Sequence, residues 1–283
     1  MLVELAFAED LGPTWDDVTS RVTIARDMRG QVDLVSRETG ILAGVPLLLL
    51  AFERFGSGVQ IDVQVNDGSP LRRGSLIARL RGPMRDLLTV ERTALNFMTH
   101  LSGVASLTRQ FVDATRGTKA VILDTRKTIP GYRRLQKYAV RMGGGQNHRM
   151  GLFDGCLIKD NHLSAWQRSH SEATLADLIR HARSEIGAAP LQVEVDRLDQ
   201  LEQVLEADPD MVLLDNMKPD TLKQAVGLRD QRQHPALLEA SGGITLENIA
   251  QVAATGVDRI SIGALTHSAP NLDLGFDWSR EEH

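Results

Sequence analysis

Short apolar runs that each stop at a polar or glycine residue recur through the second part of this chain. Residues 121–123 precede Asp124-Thr125-Arg126, residues 156–158 precede Lys159, and residues 191–193 precede Glu194. Residues 212–214 then precede Asp215, residues 237–238 lead into Glu239-Ala240-Ser241-Gly242-Gly243, and residues 260–262 precede Gly263. Segments with helical spacing lie between several of them, at 173–186, 198–207, 219–228 and 246–255. Strands that alternate with helices predict parallel βα units. In barrels of such units the functional residues sit at the carboxyl ends of the strands, where these polar residues fall. The span 104–267 yields six strands and is short for an eight-unit barrel, which needs about 250 residues. The expected fold class is therefore α/β, an incomplete, open, TIM-like α/β barrel. A doubly wound dinucleotide-binding sheet fits less well, because no Gly-x-Gly-x-x-Gly follows a first strand.

The first part of the chain has a different pattern. A helix near the start is predicted to end at Leu11-Gly12-Pro13. Alternating runs follow at 31–36, 59–65 and 76–80, the later ones separated by Asn66-Asp67-Gly68 and Arg73-Gly74 as turn signals. This predicts a smaller N-terminal α+β sandwich domain with an antiparallel sheet over residues 1–103. Residues 85–116 carry Leu88, Leu95, Met98 and Leu101 near helical spacing, with Ser102-Gly103 expected to break the stretch into two helices.

Composition narrows the class of protein. The 283 residues are 42% hydrophobic and 24% charged, with a formal net charge of -5. Those values suit a globular chain with a sizeable core. Cys156 is the only cysteine, which excludes an intramolecular disulfide framework or a multi-thiolate zinc site. No run reaches the roughly 18 apolar residues of a membrane span. The start carries Glu4, Glu9 and Asp10 where a signal peptide would carry bases, so a cytoplasmic protein is expected. An acidic chain with 4% aromatic residues is not expected to have nucleic acid as its main partner.

Against that acidic background, residues 124–162 gather Arg126, Lys127, His148, Arg149 and Lys159 beside turn-forming Gly, Asn and Asp. Arg126, Arg149 and Lys159 at one barrel mouth would bind a small, highly charged anion, because a guanidinium matches a carboxylate or phosphate in two bonds at once. Salt bridges to Glu194 or Asp215 are the bland alternative for them, and a structural loop histidine is the bland alternative for His148. Glu194 and Asp215 end neighbouring strands and could share a divalent cation with substrate oxygens, as Mg²⁺ is held. Ser241-Gly242-Gly243 and Gly263-Ala264-Leu265-Thr266-His267 end the last two strands, where barrels bind phosphate with backbone amides. In the helix predicted over 132–142, Arg133, Arg134, Lys137 and Arg141 are expected on a solvated face, and Gly143-Gly144-Gly145 holds its C-cap. A Schiff-base enzyme using Lys159, or a catalytically silent phosphate sensor, would also fit these residues.

The same motifs resemble a known family. Asp124-Thr125-Arg126-Lys127-Thr128, Gly143-Gly144-Gly145, Asn147-His148-Arg149 and Leu157-Ile158-Lys159-Asp160-Asn161-His162 look like quinolinate phosphoribosyltransferase. The match extends through Glu91-Arg92-Thr93-Ala94-Leu95-Asn96, Glu194, Leu214-Asp215-Asn216-Met217, Glu239-Ala240-Ser241-Gly242-Gly243-Ile244 and Gly263-Ala264-Leu265-Thr266-His267, and includes Ala8-Glu9-Asp10-Leu11-Gly12 near the start. The resemblance implies transfer of phosphoribose from 5-phosphoribosyl 1-pyrophosphate to quinolinate with decarboxylation, using Mg²⁺, within NAD biosynthesis. It implies that the tail 268–283 completes the N-terminal domain. It also implies that Arg126, His148, Arg149 and Lys159 bind the quinolinate carboxylates, with Arg92 supplied by a second subunit of a homodimer or larger homo-oligomer. Lys127 would lie near the phosphoribosyl pyrophosphate, with Glu194 and Asp215 at the metal and ribose. Ser241, Gly242, Gly243, Gly263 and His267 would hold the 5′-phosphate. Lys127, Lys159, Glu194 and Asp215 are then the expected catalytic set. Pro13-Thr14-Trp15-Asp16 and the 164–172 loop depart from the family pattern. A molybdenum-linked paralogue shares the Thr-Arg-Lys and Gly-Gly-Gly motifs but not the full Ile-Lys-Asp-Asn-His run. Phosphoribosyl transfer to nicotinate or a related ring without decarboxylation is the nearest rival.

Overall fold

A computed structural model describes residues 2–278. In chain order the first elements are α1 (Leu2–Leu11), α2 (Val18–Thr23), β1 (Arg29–Ser36), β2 (Gly40–Ile41), α3 (Val45–Phe55), β3 (Gln60–Val63), β4 (Pro70–Leu71), β5 (Leu76–Pro83) and α4 (Met84–Ala114). Then come β6 (Val121–Leu123), α5 (Arg133–Met142), β7 (Cys156–Ile158), α6 (Asp160–Gln167), α7 (Leu175–Ile186), β8 (Leu191–Val195) and α8 (Leu198–Leu205). The last are β9 (Met211–Asp215), α9 (Pro219–Gln231), β10 (Leu237–Ser241), α10 (Ile249–Ala253), β11 (Arg259–Ser261), α11 (Ala264–His267) and β12 (Leu274–Trp278). Two compact units result. One holds residues 1–109, 129–144 and 268–283, of which 1 and 279–283 lie outside the described residues; the other holds 110–128 and 145–267.

The first unit is built on an antiparallel sheet in the order β12-β1-β5-β3. Alternation sends Val32 and Leu34 of β1 inward, onto a core with Phe7, Leu48, Phe52, Leu80, Leu87 and Phe97. Each such side chain stabilises the fold by about 1.5–3 kcal/mol when fully buried. The expected break at Ser102-Gly103 does not occur: α4 runs without interruption through 31 residues. Both residues serve packing instead. The Ser102 hydroxyl bonds the backbone N–H and C=O of Ala43, at 3.0 and 3.1 Å. A Cβ at position 103 would stand 1.9 Å from the Pro270 carbonyl oxygen, so only glycine fits. The solvated face expected on α5 is corrected at one place. Lys137 is fully buried, because it falls on the arc that also buries Gln136 and Val140.

The second unit is a six-stranded parallel sheet in the order β6-β11-β10-β9-β8-β7. All six predicted strands are present. The first strand pairs with the last, and the remaining strands follow in reverse, so the first and second strands form the two edges. Among the described strands the edges β6 and β7 do not pair, so the barrel is open. Val212, Leu213 and Leu214 of β9 are buried on both faces, as in a covered parallel sheet. One further expectation changes: residues 164–167 of the predicted loop are the last turn of α6. Its first turn is fixed by His162, whose Nδ1 accepts the Lys159 N–H at 3.0 Å.

Candidate active site

The carboxyl ends of the strands in the second unit surround a cavity of about 550 Å³. Arg126, Lys127, His148, Arg149, Lys159, Glu194, Asp215, Ser241, Gly242, Gly243, Gly263 and His267 all line it. Arg92 does not. It is exposed on α4, in the other unit.

The cationic rim is assembled from loops after β6 and β7's approach. Asp124, the first residue past β6, is fully buried. Its carboxylate accepts the His148 N–H at 2.9 Å and the Asn147 side-chain amide at 2.6 Å, which fixes the loop carrying Arg149. Arg149 donates to the Gly155 carbonyl at 3.0 Å. Its burial and the neighbouring Arg126 charge pull its guanidinium below the usual arginine value. Lys127 is held by its N–H on the Thr125 hydroxyl at 3.0 Å, and its carbonyl accepts the Thr266 hydroxyl at 2.8 Å, tying this loop to α11.

Lys159 follows β7 and pairs with Glu194 of β8. The salt-bridge alternative weighed for Lys159 is thus present, within the cavity and not in place of it. Asp215 ends β9, and its carboxylate accepts the Asn216 side-chain amide at 2.8 Å. Among the described residues no group of three or more His, Cys, Asp or Glu gathers as a metal cage. Two carboxylate positions facing one cavity nevertheless suit a hard cation that keeps waters and takes substrate oxygens.

The glycine loops after β10 and β11 line another part of the cavity. Gly242 has φ +89°, and a Cβ there would lie 2.2 Å from Asn216 Oδ1. Asn216 itself takes φ +53° and donates its N–H to the Ser241 carbonyl at 2.8 Å. A Cβ on Gly263 would crowd His267 Nε2 at 3.0 Å and Lys127 Cδ at 3.1 Å. A side chain has no room at Gly242 or Gly263, and at Gly243 the left-handed φ of +62° favours glycine although the space is open.

Several lining residues carried no role in the sequence reading: Thr125, Thr245, Ser261 and above all Glu239. Glu239 sits inside β10 with no exposure. A carboxylate within an otherwise apolar strand was the available signal.

Comparison with known proteins agrees over nearly the whole chain. Residues 104–277 match the model of the quinolinate phosphoribosyl transferase C-terminal domain, and residues 17–102 match that of the N-terminal domain. A nicotinate-nucleotide pyrophosphorylase (carboxylating) from Mycobacterium leprae is 46% identical, covering 92% of this chain and 90% of its own. A mitochondrial quinolinate phosphoribosyltransferase (decarboxylating) from Nicotiana glauca is 37% identical, covering 97% of this chain and 80% of its own. Among solved structures, the nicotinate-nucleotide pyrophosphorylase from Ehrlichia chaffeensis superposes with a TM-score of 0.90 at 36% identity, covering 98% of this chain and 97% of that one. With both domain models matched in order and relatives of this identity along almost its full length, the chain belongs to the quinolinate phosphoribosyltransferase family.

Proposed function

We propose that this protein transfers phosphoribose from 5-phosphoribosyl 1-pyrophosphate to quinolinate and decarboxylates the product, giving nicotinate mononucleotide, pyrophosphate and CO₂. The observation that carries this is the meeting of Arg126, Arg149 and Lys159 with Glu194, Asp215 and two glycine loops around one cavity. Quinolinate is a dicarboxylate and its co-substrate a polyphosphate. Two polyanions meet only where their repulsion is cancelled, and clustered cations do so best where water is excluded.

Arg126, Arg149 and Lys159 are assigned to the quinolinate carboxylates, with His148 lining the same cavity. The loops at Ser241–Gly243 and Gly263, with His267, are assigned to the 5′-phosphate, and Lys127 to the phosphoribosyl pyrophosphate. Glu194 and Asp215 would hold Mg²⁺, which when bound neutralises charge on the departing pyrophosphate. As the C1–O bond breaks, the ribosyl carbon gains oxocarbenium character, and a carboxylate at Glu194 stabilises it. The pyridine nitrogen forms the new bond to C1 with its own lone pair, so the residues need supply no general base. The alkylated nitrogen is positive and stabilises the electron pair that stays on the adjacent ring carbon when the C–CO₂ bond breaks. CO₂ leaves, and the ring carbon takes a proton from water. The chain's contribution is position and electrostatics.

A second copy of the chain would supply Arg92, which is exposed and does not line the cavity of its own chain. We place the reaction in the cytoplasm; no described helix is long and apolar enough to cross a membrane. The test is to mix protein, Mg²⁺, 5-phosphoribosyl 1-pyrophosphate and either quinolinate or nicotinate, and to measure mononucleotide and CO₂. Stoichiometric CO₂ from quinolinate is expected; turnover of nicotinate alone would overturn the assignment.

A further inference from the structure

We infer that Glu239, acting through His148, is a positioning residue that sets the posture of Arg149 in the anion site. This rests on the assignment of the cationic rim to quinolinate.

Glu239 has no exposure, and no step of the reaction above uses it. One hydrogen bond, from Gln192, and two ion-pair contacts, from Arg259 and His148, surround its carboxylate. The Gln192 side-chain amide donates to Oε2 at 3.1 Å, Arg259 Nε lies 3.2 Å from the same oxygen, and His148 Nε2 lies 3.2 Å from Oε1. Burial alone would push this carboxyl upward, yet His148, Ser261 and Arg259 hold it below the ordinary carboxylate value. An ionised carboxylate suits this setting, with an amide donor and the Arg259 charge on one oxygen and the His148 ring beside the other.

The other side of the imidazole is also committed. His148 Nδ1 accepts the backbone N–H of Arg149 at 2.8 Å. A nitrogen that accepts has no proton, so the ring carries it on Nε2, facing Glu239. The network assigns one tautomer, and that tautomer anchors the residue bearing the guanidinium. The anchor has work to do. Arg149 is partly buried beside Arg126, and their like charges push them apart when no anion lies between. Asp124 grips the backbone of the same loop from below. Two buried carboxylates thus keep the arginine in place before substrate arrives, which lowers the ordering cost of binding.

Glu239→Gln keeps the size but turns an NH₂ against a donor, and frees the ring to take the other tautomer. Steady-state kinetics should show the KM for quinolinate raised about tenfold, as for a lost charged contact. The KM for 5-phosphoribosyl 1-pyrophosphate should stay within about twofold, a split that general loosening would not produce. Nitrogen-15 spectra of the imidazole, assigned by the signal lost in His148→Gln, should show the Nε2–H tautomer in the parent at pH 7.5 and a changed ring in Glu239→Gln. An unchanged quinolinate KM, an equal rise in both KM values, or an Nδ1–H or doubly protonated ring in the parent would overturn the inference. If the variant does not fold, the parent spectrum decides. If the parent makes no mononucleotide, the assigned reaction fails while the spectrum still tests the tautomer.

Discussion

One part of the cavity is lined by the cationic side chains Arg126, Arg149 and Lys159; another is lined by the glycine loops after β10 and β11. The first rim depends on groups behind it. Arg149 stays in position through Asp124, His148, Glu239 and the Gly155 carbonyl, and Lys159 through Glu194. The second rim depends on backbone geometry, set by the left-handed Gly242 and Gly243 and the neighbouring Asn216. Side-chain sites can grip a planar carboxylate in a chosen orientation but need a supporting layer. Backbone sites need no such layer but tolerate no extra atom.

The largest effect expected from breaking this contrast is on the side-chain rim. Arg149→Ala removes a charge-assisted contact worth about 3 kcal/mol, so kcat/KM for quinolinate should fall roughly hundredfold. An unchanged value would refute the assignment. Glu194→Ala should lower kcat by about a hundredfold, the usual loss of a group aimed at transition-state charge. The KM for quinolinate should not rise, because Lys159 loses its internal partner and its charge becomes available. Kinetics equal to the parent would count against the charge-stabilising role. On the backbone rim, Gly242→Ala forces a Cβ into Asn216 and strains a left-handed residue, at a cost of about 1–3 kcal/mol. The KM for 5-phosphoribosyl 1-pyrophosphate should rise about tenfold with quinolinate binding little changed. A rise confined to quinolinate would reverse the assignment of the two rims.

The smallest effect separates the rims by pH. The Glu239 carboxyl is held below its unfolded value of 4.5, so between the two values the folded chain binds fewer protons than the unfolded one. Its contribution to stability is complete above 4.5 and is lost as pH falls through the folded value. Melting curves of the parent should lose Tm in that acid range, and Glu239→Gln should lose less. Identical acid slopes would show that the buried carboxylate is not linked to folding.

Much of this was legible in the residue order. The strands of the second unit announce themselves as apolar runs because both their faces are covered, and the polar residue after each run marks the mouth. The twelve lining residues named from the motifs followed from that placement and from the family resemblance. What escaped depends on distant partners. Ser102-Gly103 has the local signature of a break, but its meaning lies in Ala43 and Pro270, far along the chain. Lys137 reads as solvated until the arc buried by α5 is known. Glu239 is one acid in a strand; that Gln192, Arg259, Ser261 and His148 converge on it is a property of the sheet order, which brings β8, β9, β10 and β11 side by side.

The pairing of β12 with β1 has a consequence for biosynthesis. The register joins Val32 to Trp278 and Ser36 to Leu274, so the sheet of the first unit has residues from both ends of the described chain. The two units are also interlaced in sequence, since residues 129–144 return to the first after the second has begun. Folding from the ribosome outward cannot finish the early unit first, because its edge strand stays inside the tunnel until residue 278 has emerged. A fragment cut at the boundary between residues 103 and 104 would strand β1 with one partner missing, an unprotected edge that invites pairing between chains.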